Sequence, residues 1–91
     1  MELTKEELAE VEEFAGLFYD LRSVAIILDK DISGFRSEYL KEGALYRAYQ
    51  RGVLKTESEV RKSIINLAKA GSSPAQNLAK GYIDDLKLQD L

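Results

Sequence analysis

The spacing of side chains between Leu45 and Leu67 is the feature that most constrains the fold of this chain. Seven positions there step by four or three residues, which places them on one face of an α-helix. They are Leu45, Tyr49, Val53, Thr56, Val60, Ile64 and Leu67. The phase continues through Gly52, although the run Thr56-Glu57-Ser58-Glu59 also has the pattern of a capping box that would start a new helix. We predict one helix over about 44–70, roughly 40 Å long at ~1.5 Å per residue; a bend near Gly52 stays open.

Three shorter helices are predicted before it. Thr4 and Glu7 have capping-box spacing, and Leu3 and Leu8 flank them, so the first helix begins here and ends at about 16–18. Asp20 and Asp31 are predicted to cap helices over about 21–28 and 32–40. The inner faces of the three helices are predicted to carry Leu8, Val11, Ala15 and Phe18; Val24, Ala25, Ile27 and Leu28; and Ile32, Phe35 and Tyr39.

The run GSSPAQ (71–76) predicts a helix end followed at once by a helix start. Gly71 suits the left-handed position after a helix, Ser73 suits an N-cap with Gln76 completing a capping box, and Pro74 suits the first helical residue. The last helix then covers about 74–88 and folds back as an αα-hairpin. Its apolar side carries Ala75, Leu78, Ala79, Tyr82 and Leu86. Because no run alternates like a strand, the predicted fold is all-α: a helix-turn-helix-like three-helix head (1–43), then a long helix and an antiparallel αα-hairpin (44–91).

The long helix has a second row of side chains, which includes Leu54 and Ile65. Two such rows imply two neighbours: one is the hairpin partner, and the other is the head or another subunit. We favour another subunit for at least part of this row. The predicted oligomer interface is Leu54, Val60, Ile64, Ile65, Leu67, Leu78 and Tyr82.

The composition excludes several kinds of chemistry. The chain has no Cys and no His, so disulfides, the usual zinc ligands and the usual general base are missing. We find no catalytic constellation and expect a protein that is not an enzyme, with no cofactor and no metal site. No signal peptide or membrane span is evident, which predicts a cytoplasmic protein with no membrane partner.

The charges are unevenly distributed, although their sum is only −3. Residues 1–21 are mostly acidic, whereas residues 22–62 carry nine Lys and Arg against six acids. A locally basic surface is what contact with phosphate requires. Ordinary solvated helix charges would give the same pattern.

The segment 21–40 has the spacing of a helix-turn-helix, the motif that places its second helix in the major groove. Ala25 is the small residue where the two helices touch, and Phe35 is the apolar residue that fixes the second helix. Two departures are Asp29 at the turn, where Gly is common, and Glu38, where an apolar residue is common.

Double-stranded DNA is the partner that this motif predicts. Arg36 is the best candidate for a base edge, because a guanidinium can bind guanine with two hydrogen bonds. Ser33, Ser37 and Lys41 share the outward face of the third helix. Phosphate contacts are predicted for Arg22, Lys30, Arg47 and Arg51. The alternative is that these cations are simply solvated.

Most of the chain resembles small terminase subunits of tailed phages and prophages, of the type found in Bacteroides-like gut genomes. Three stretches carry the resemblance. They are LTKEELAEVEEFAGLFYDLRSVAIILDKDISGFRSEY (3–39), AYQRGVLKTESEVRKSIINLAKAGSSPAQNLAKGYI (48–83) and, most specific, RGVLKTESEVRKSIINLAKAGSSPAQNLA (51–79) within the second. The resemblance implies a helix-turn-helix head, a helical hairpin that assembles rings, and recognition of a phage genome in a bacterial host cell. It also implies regulation of a large ATPase–nuclease subunit. Only KLQDL (87–91) follows the hairpin, so a segment that contacts that subunit is short or absent.

Two other functions remain open on the sequence. One is a small, dimeric helix-turn-helix transcriptional regulator, and the other is a helical protein–protein adaptor that does not bind DNA. Stoichiometry separates a terminase subunit, which forms a ring of many subunits, from a regulator, which binds two half-sites as a dimer. An adaptor differs from both because it lacks the steep loss of DNA affinity with salt that phosphate contacts produce.

Overall fold

The chain forms five α-helices in a computed structural model that describes residues 1–89. The helices are α1 (Lys5–Gly16), α2 (Leu21–Ile27), α3 (Ile32–Leu40), α4 (Ala44–Lys69) and α5 (Ser73–Leu88). No strand occurs among these residues, so the all-α prediction is confirmed. The 26-residue α4 runs without interruption through Gly52 and Thr56, which confirms a single long helix. None of the described helices combines the length and the apolar character needed to cross a membrane.

Side chains next to the helix starts satisfy backbone groups, as predicted for the first three helices. The Thr4 hydroxyl accepts a hydrogen bond from the Glu7 amide (3.1 Å), and the Glu7 carboxylate accepts one from the Thr4 amide (2.9 Å). Asp20 and Asp31 each accept from the amide three residues on, at 2.7 Å. These bonds use amides that have no partner inside the helix, and they fix where each helix begins.

The start of α5 differs from the prediction by one residue. Gly71 has the expected positive φ of 102°. However, Ser72 is the N-cap, with its side chain accepting from the Ala75 amide, so the assignment of Ser73 was wrong. Pro74 is then the second helical residue, where its missing N–H still costs no hydrogen bond. Gln76 completes no capping box; its side-chain amide donates to the Ala68 carbonyl oxygen (3.1 Å).

The chain divides into two compact units, Met1–Thr56 and Glu57–Leu91, and the second is described as far as Gln89. The core of the first unit consists of Val11, Val24, Ala25, Phe35, Leu45 and Ala48. The division lies inside α4, whereas the sequence analysis placed the end of the head at residue 43. The difference arises because the first half of α4 contributes Leu45 and Ala48 to this core.

Two residues predicted on inner faces are exposed, and those predictions were wrong. Phe18 lies beyond the end of α1 with a φ of 66° and is 56% exposed. Ile27 is the last residue of the seven-residue α2 and is 45% exposed. Helical spacing placed both on a buried stripe, but Phe18 lies outside the helix that the spacing assumes. Ile27 lies within α2 and is exposed, while Val24, Ala25 and Leu28 supply the contacts to the core.

Gly52 is buried where α4 passes α1. A Cβ atom at this position would lie 2.1 Å from the carbonyl oxygen of Glu12 and 3.1 Å from the Cβ of Ala15. Gly16 faces the same crossing, since its Cβ would lie 2.9 Å from the Thr56 hydroxyl. The absence of side chains at these two positions therefore sets the distance between the two helices.

The second unit buries very little apolar surface. Ala75, which is 5% exposed, is its only buried residue among those described. The contacts of α5 with the end of α4 include the hydrogen bond from Gln76 to Ala68 and the Arg61 guanidinium, 4.2 Å from the centre of the Tyr82 ring. The cation–π contact is of a kind that contributes about 0.5–1 kcal/mol at an exposed site.

Candidate nucleic-acid interface

The two residues that the helix-turn-helix spacing selected both lie in the core of the first unit. Ala25 and Phe35 are both fully buried. Asp29, at the turn, has a φ of 54°, the left-handed conformation in which Gly is common and Asp is tolerated. The amides of Asp29 and Lys30 donate back to the carbonyl oxygens of Ile26 (3.1 Å) and Ala25 (2.8 Å). Asp29 can therefore replace the Gly that is common at this turn, because Asp is tolerated in the left-handed conformation.

The second departure, Glu38, is half-buried and ion-paired. Its Oε1 lies 3.2 Å from the amino group of Met1 and 3.3 Å from the Lys41 ammonium. These two cations, the amino group first, hold the pKa of the Glu38 carboxyl below its ordinary value. A carboxylate can occupy this position because it lies at the edge of the core and has partners.

The outward face of α3 is exposed to solvent. Ser33, Arg36 and Ser37 are exposed, as is Lys41 just after the helix. Arg36 forms no ion pair within 4 Å with any residue in 1–89. The most important side chain of the predicted DNA-reading face is thus accessible, on a helix that Phe35 fixes in place.

Two of the cations predicted to contact phosphate are held by carboxylates of α1. The Lys30 ammonium lies 2.6 Å from Glu7, and the Arg51 guanidinium lies 3.3 Å from Glu12. Glu12 also binds Lys55, at 2.9 Å. The sequence analysis did not find these pairs; the acidic 1–21 segment beside the basic 22–62 segment was the one signal that pointed to them.

These pairs change the acidity of the carboxyl groups. The hydrogen bond from Lys55, with a smaller contribution from Arg51, holds the pKa of Glu12 below its ordinary value. The hydrogen bond from Lys30 does the same to the pKa of Glu7. Both carboxylates are therefore charged at neutral pH and compete with any other anion for these cations.

A groove of about 480 Å³ lies between α1 and α4. It is lined by Lys5, Leu8, Ala9, Glu12, Ala44, Arg47, Ala48 and Arg51. The structure thus brings the predicted phosphate contacts Arg47 and Arg51 together and adds Lys5 to them. Ser33, Arg36 and Ser37 do not line this groove, and Arg22 is exposed at the start of α2.

Most of the predicted oligomer interface is exposed in the single chain. Leu54, Val60, Leu67 and Leu78 are between 47% and 56% exposed, and Ile65 is 38% exposed. Ile64 and Tyr82 are half-buried, and the ring of Tyr82 lies beneath Arg61. The exposed members form a substantial apolar surface that is open to solvent.

No group of three or more acidic side chains suited to holding a metal ion occurs in residues 1–89. Comparison of the chain with protein-family models, curated proteins and solved structures gave no match.

Proposed function

We propose that this protein is the non-catalytic DNA-recognition subunit of a phage or prophage DNA-packaging complex, acting in the cytoplasm of the bacterial host. It binds duplex DNA through the α2–α3 helix-turn-helix and assembles through a helical hairpin of α4 and α5. Packaging itself is the task of a large ATPase–nuclease subunit. The proposal of a terminase rests on the sequence resemblance, and the structure supports it at two places.

The observation that carries DNA binding is the α2–α3 pair. Ala25 and Phe35 are buried at the two positions that the motif requires, and Arg36 is left exposed on the second helix. A helix held in this way can enter the major groove with its outward side chains toward the bases. Arg47 supplies a cation for the backbone from a different helix.

Fluorescence anisotropy with labelled duplexes tests this assignment. Arg36→Ala should cost about 1–3 kcal/mol and relax the sequence preference, because it removes a base contact. Arg47→Ala should weaken binding to all sequences alike and reduce the salt slope by about one. Lys80→Ala, an exposed residue of α5, is the control. Equal affinities for all four proteins would refute the head as a DNA reader.

The apolar surface of the second unit supports assembly. Ala75 is the one buried residue of this unit among those described, and Leu67 and Leu78 are 56% and 53% exposed. Ile65→Asp should dissociate the assembly, because a carboxylate is costly in an apolar interface. Asn66→Asp adds the same charge at an exposed neighbouring position and should not. Static light scattering reads out both variants, and a monomeric wild type would contradict the proposal.

The adaptor function remains the alternative, and the ion pairs favour it. Lys30, Lys41 and Arg51 already have carboxylate partners, and the net charge is −3. If an adaptor is correct, the wild type will assemble but will show no affinity for duplex even at low salt. A dimeric regulator would instead bind duplex as two copies.

A further inference from the structure

Glu12 lies between two grooves of the first unit. It lines the 480 Å³ groove with Lys5, Arg47 and Arg51, and it also lines a neighbouring groove of about 300 Å³ with Lys55. Its carboxylate binds one cation from each groove, Arg51 through Oε1 and Lys55 through Oε2. The Glu12 carboxylate therefore lies between the cations of the two grooves, and Glu13 is a second acidic residue that lines the 300 Å³ groove.

The backbone that carries Glu12 is packed closely against α4. The Glu12 carbonyl oxygen contacts the backbone of Gly52 so closely that no Cβ would fit. Gly52 comes directly after Arg51 in α4, so the two partners are held side by side. The Glu12 side chain is 27% exposed, which keeps it near its cations without enclosing it.

The cations, in contrast, remain accessible. The side chains of Arg51 and Lys55 are 56% and 65% exposed. Exposed ion pairs of this kind are weak, and another anion can take the place of the carboxylate. The phosphates of duplex DNA are suited to this, because each neutralised phosphate also releases condensed counterions.

We propose that the α1–α4 groove is a binding site for backbone phosphates of DNA and that Glu12 is its built-in competitor, holding Arg51 and Lys55 until phosphate displaces it. This inference rests on the proposed DNA binding and adds Lys5, Lys55 and Glu12 to it. The groove gives affinity without sequence preference, while α3 reads the bases. Glu12 of α1 then lowers the affinity for all duplexes alike, whatever their sequence.

The test compares duplex affinities of Glu12→Gln and Glu10→Gln. Both changes remove one charge from α1, but Glu10 is exposed and lines neither groove. Glu12→Gln should bind about two- to tenfold more tightly than the wild type at low salt, because two pairs no longer compete. Glu10→Gln should bind nearly like the wild type. Lys5→Gln should weaken binding and reduce the salt slope by about 0.9.

A double-mutant cycle makes the test specific. In an Arg51→Ala, Lys55→Ala background, Glu12→Gln should no longer increase the affinity. Circular dichroism establishes that each variant is helical. If Glu12→Gln and Glu10→Gln bind duplex equally, the competitor is refuted while DNA binding stands. If neither the wild type nor Glu12→Gln binds duplex, both this inference and the proposed function are refuted.

Discussion

Substitution of Gly52 by Ala should destabilise the protein, although it replaces Gly inside a helix. Helix propensity alone would favour Ala by about 1 kcal/mol. The new Cβ, however, would lie 2.1 Å from the Glu12 carbonyl oxygen and 2.9 Å from its carbon. Both atoms belong to the backbone, so no side-chain rotation relieves the contact. α1 and α4 would have to separate by about 1 Å, which disturbs a close-packed core.

We expect a net loss of about 2 kcal/mol in the free energy of unfolding, since overpacking of this kind costs up to ~3 kcal/mol or more and propensity returns ~1. For a chain of this size, that lowers Tm by roughly 10 °C. Gly81→Ala is the matched control, because its Cβ would meet nothing within 4 Å on α5. Gly81→Ala should be neutral or stabilising. Thermal denaturation followed by circular dichroism measures both, and a Gly52→Ala protein more stable than the wild type would refute the close crossing.

Two further predictions concern the stability of the first unit. Hydrogen bonds from Lys30 and Lys55 lower the pKa values of Glu7 and Glu12 in the folded protein. The two carboxylates therefore stabilise the fold above the ordinary glutamate pKa, and this stabilisation is lost as the pH falls through the lowered pKa values. Urea midpoints across acidic pH should therefore fall less steeply for Glu12→Gln than for the wild type; equal slopes would contradict the pair. Asp29→Gly should raise Tm slightly, because Asp29 has a φ of 54° and Gly adopts this conformation without steric cost. A lower Tm would show that the Asp29 side chain stabilises the turn by a contact of its own.

Local signals in the sequence predicted the helix starts well. Thr4, Asp20 and Asp31 each accept from the amide three residues on, so residue type and spacing were enough to identify them. The restart before α5 was one residue off, because Ser72 and Ser73 are equally good caps and Pro74 is tolerated at either of the first two helical positions.

Features that depend on distant residues were missed. The pairs of Glu12 with Arg51 and Lys55 join residues that are far apart in the sequence, and no periodicity indicates them. At Gly52 the sequence raised only the question of a bend in the long helix. A glycine inside a periodic helix does not by itself indicate close approach of another backbone, since Gly81 in α5 meets nothing within 4 Å.

The sparse burial in the second unit has a consequence for how α5 behaves over time. Ala75 is the one buried residue of α5 among those described, and the polar contacts of this helix include its N-cap, the Gln76 bond to Ala68 and the Arg61–Tyr82 contact. Segments with so few apolar contacts open with little free energy. In dilute solution, amide protons of α5 should thus exchange with deuterium sooner than those around Val24 and Phe35. Protection that rises with protein concentration would reveal neighbouring copies covering the helix.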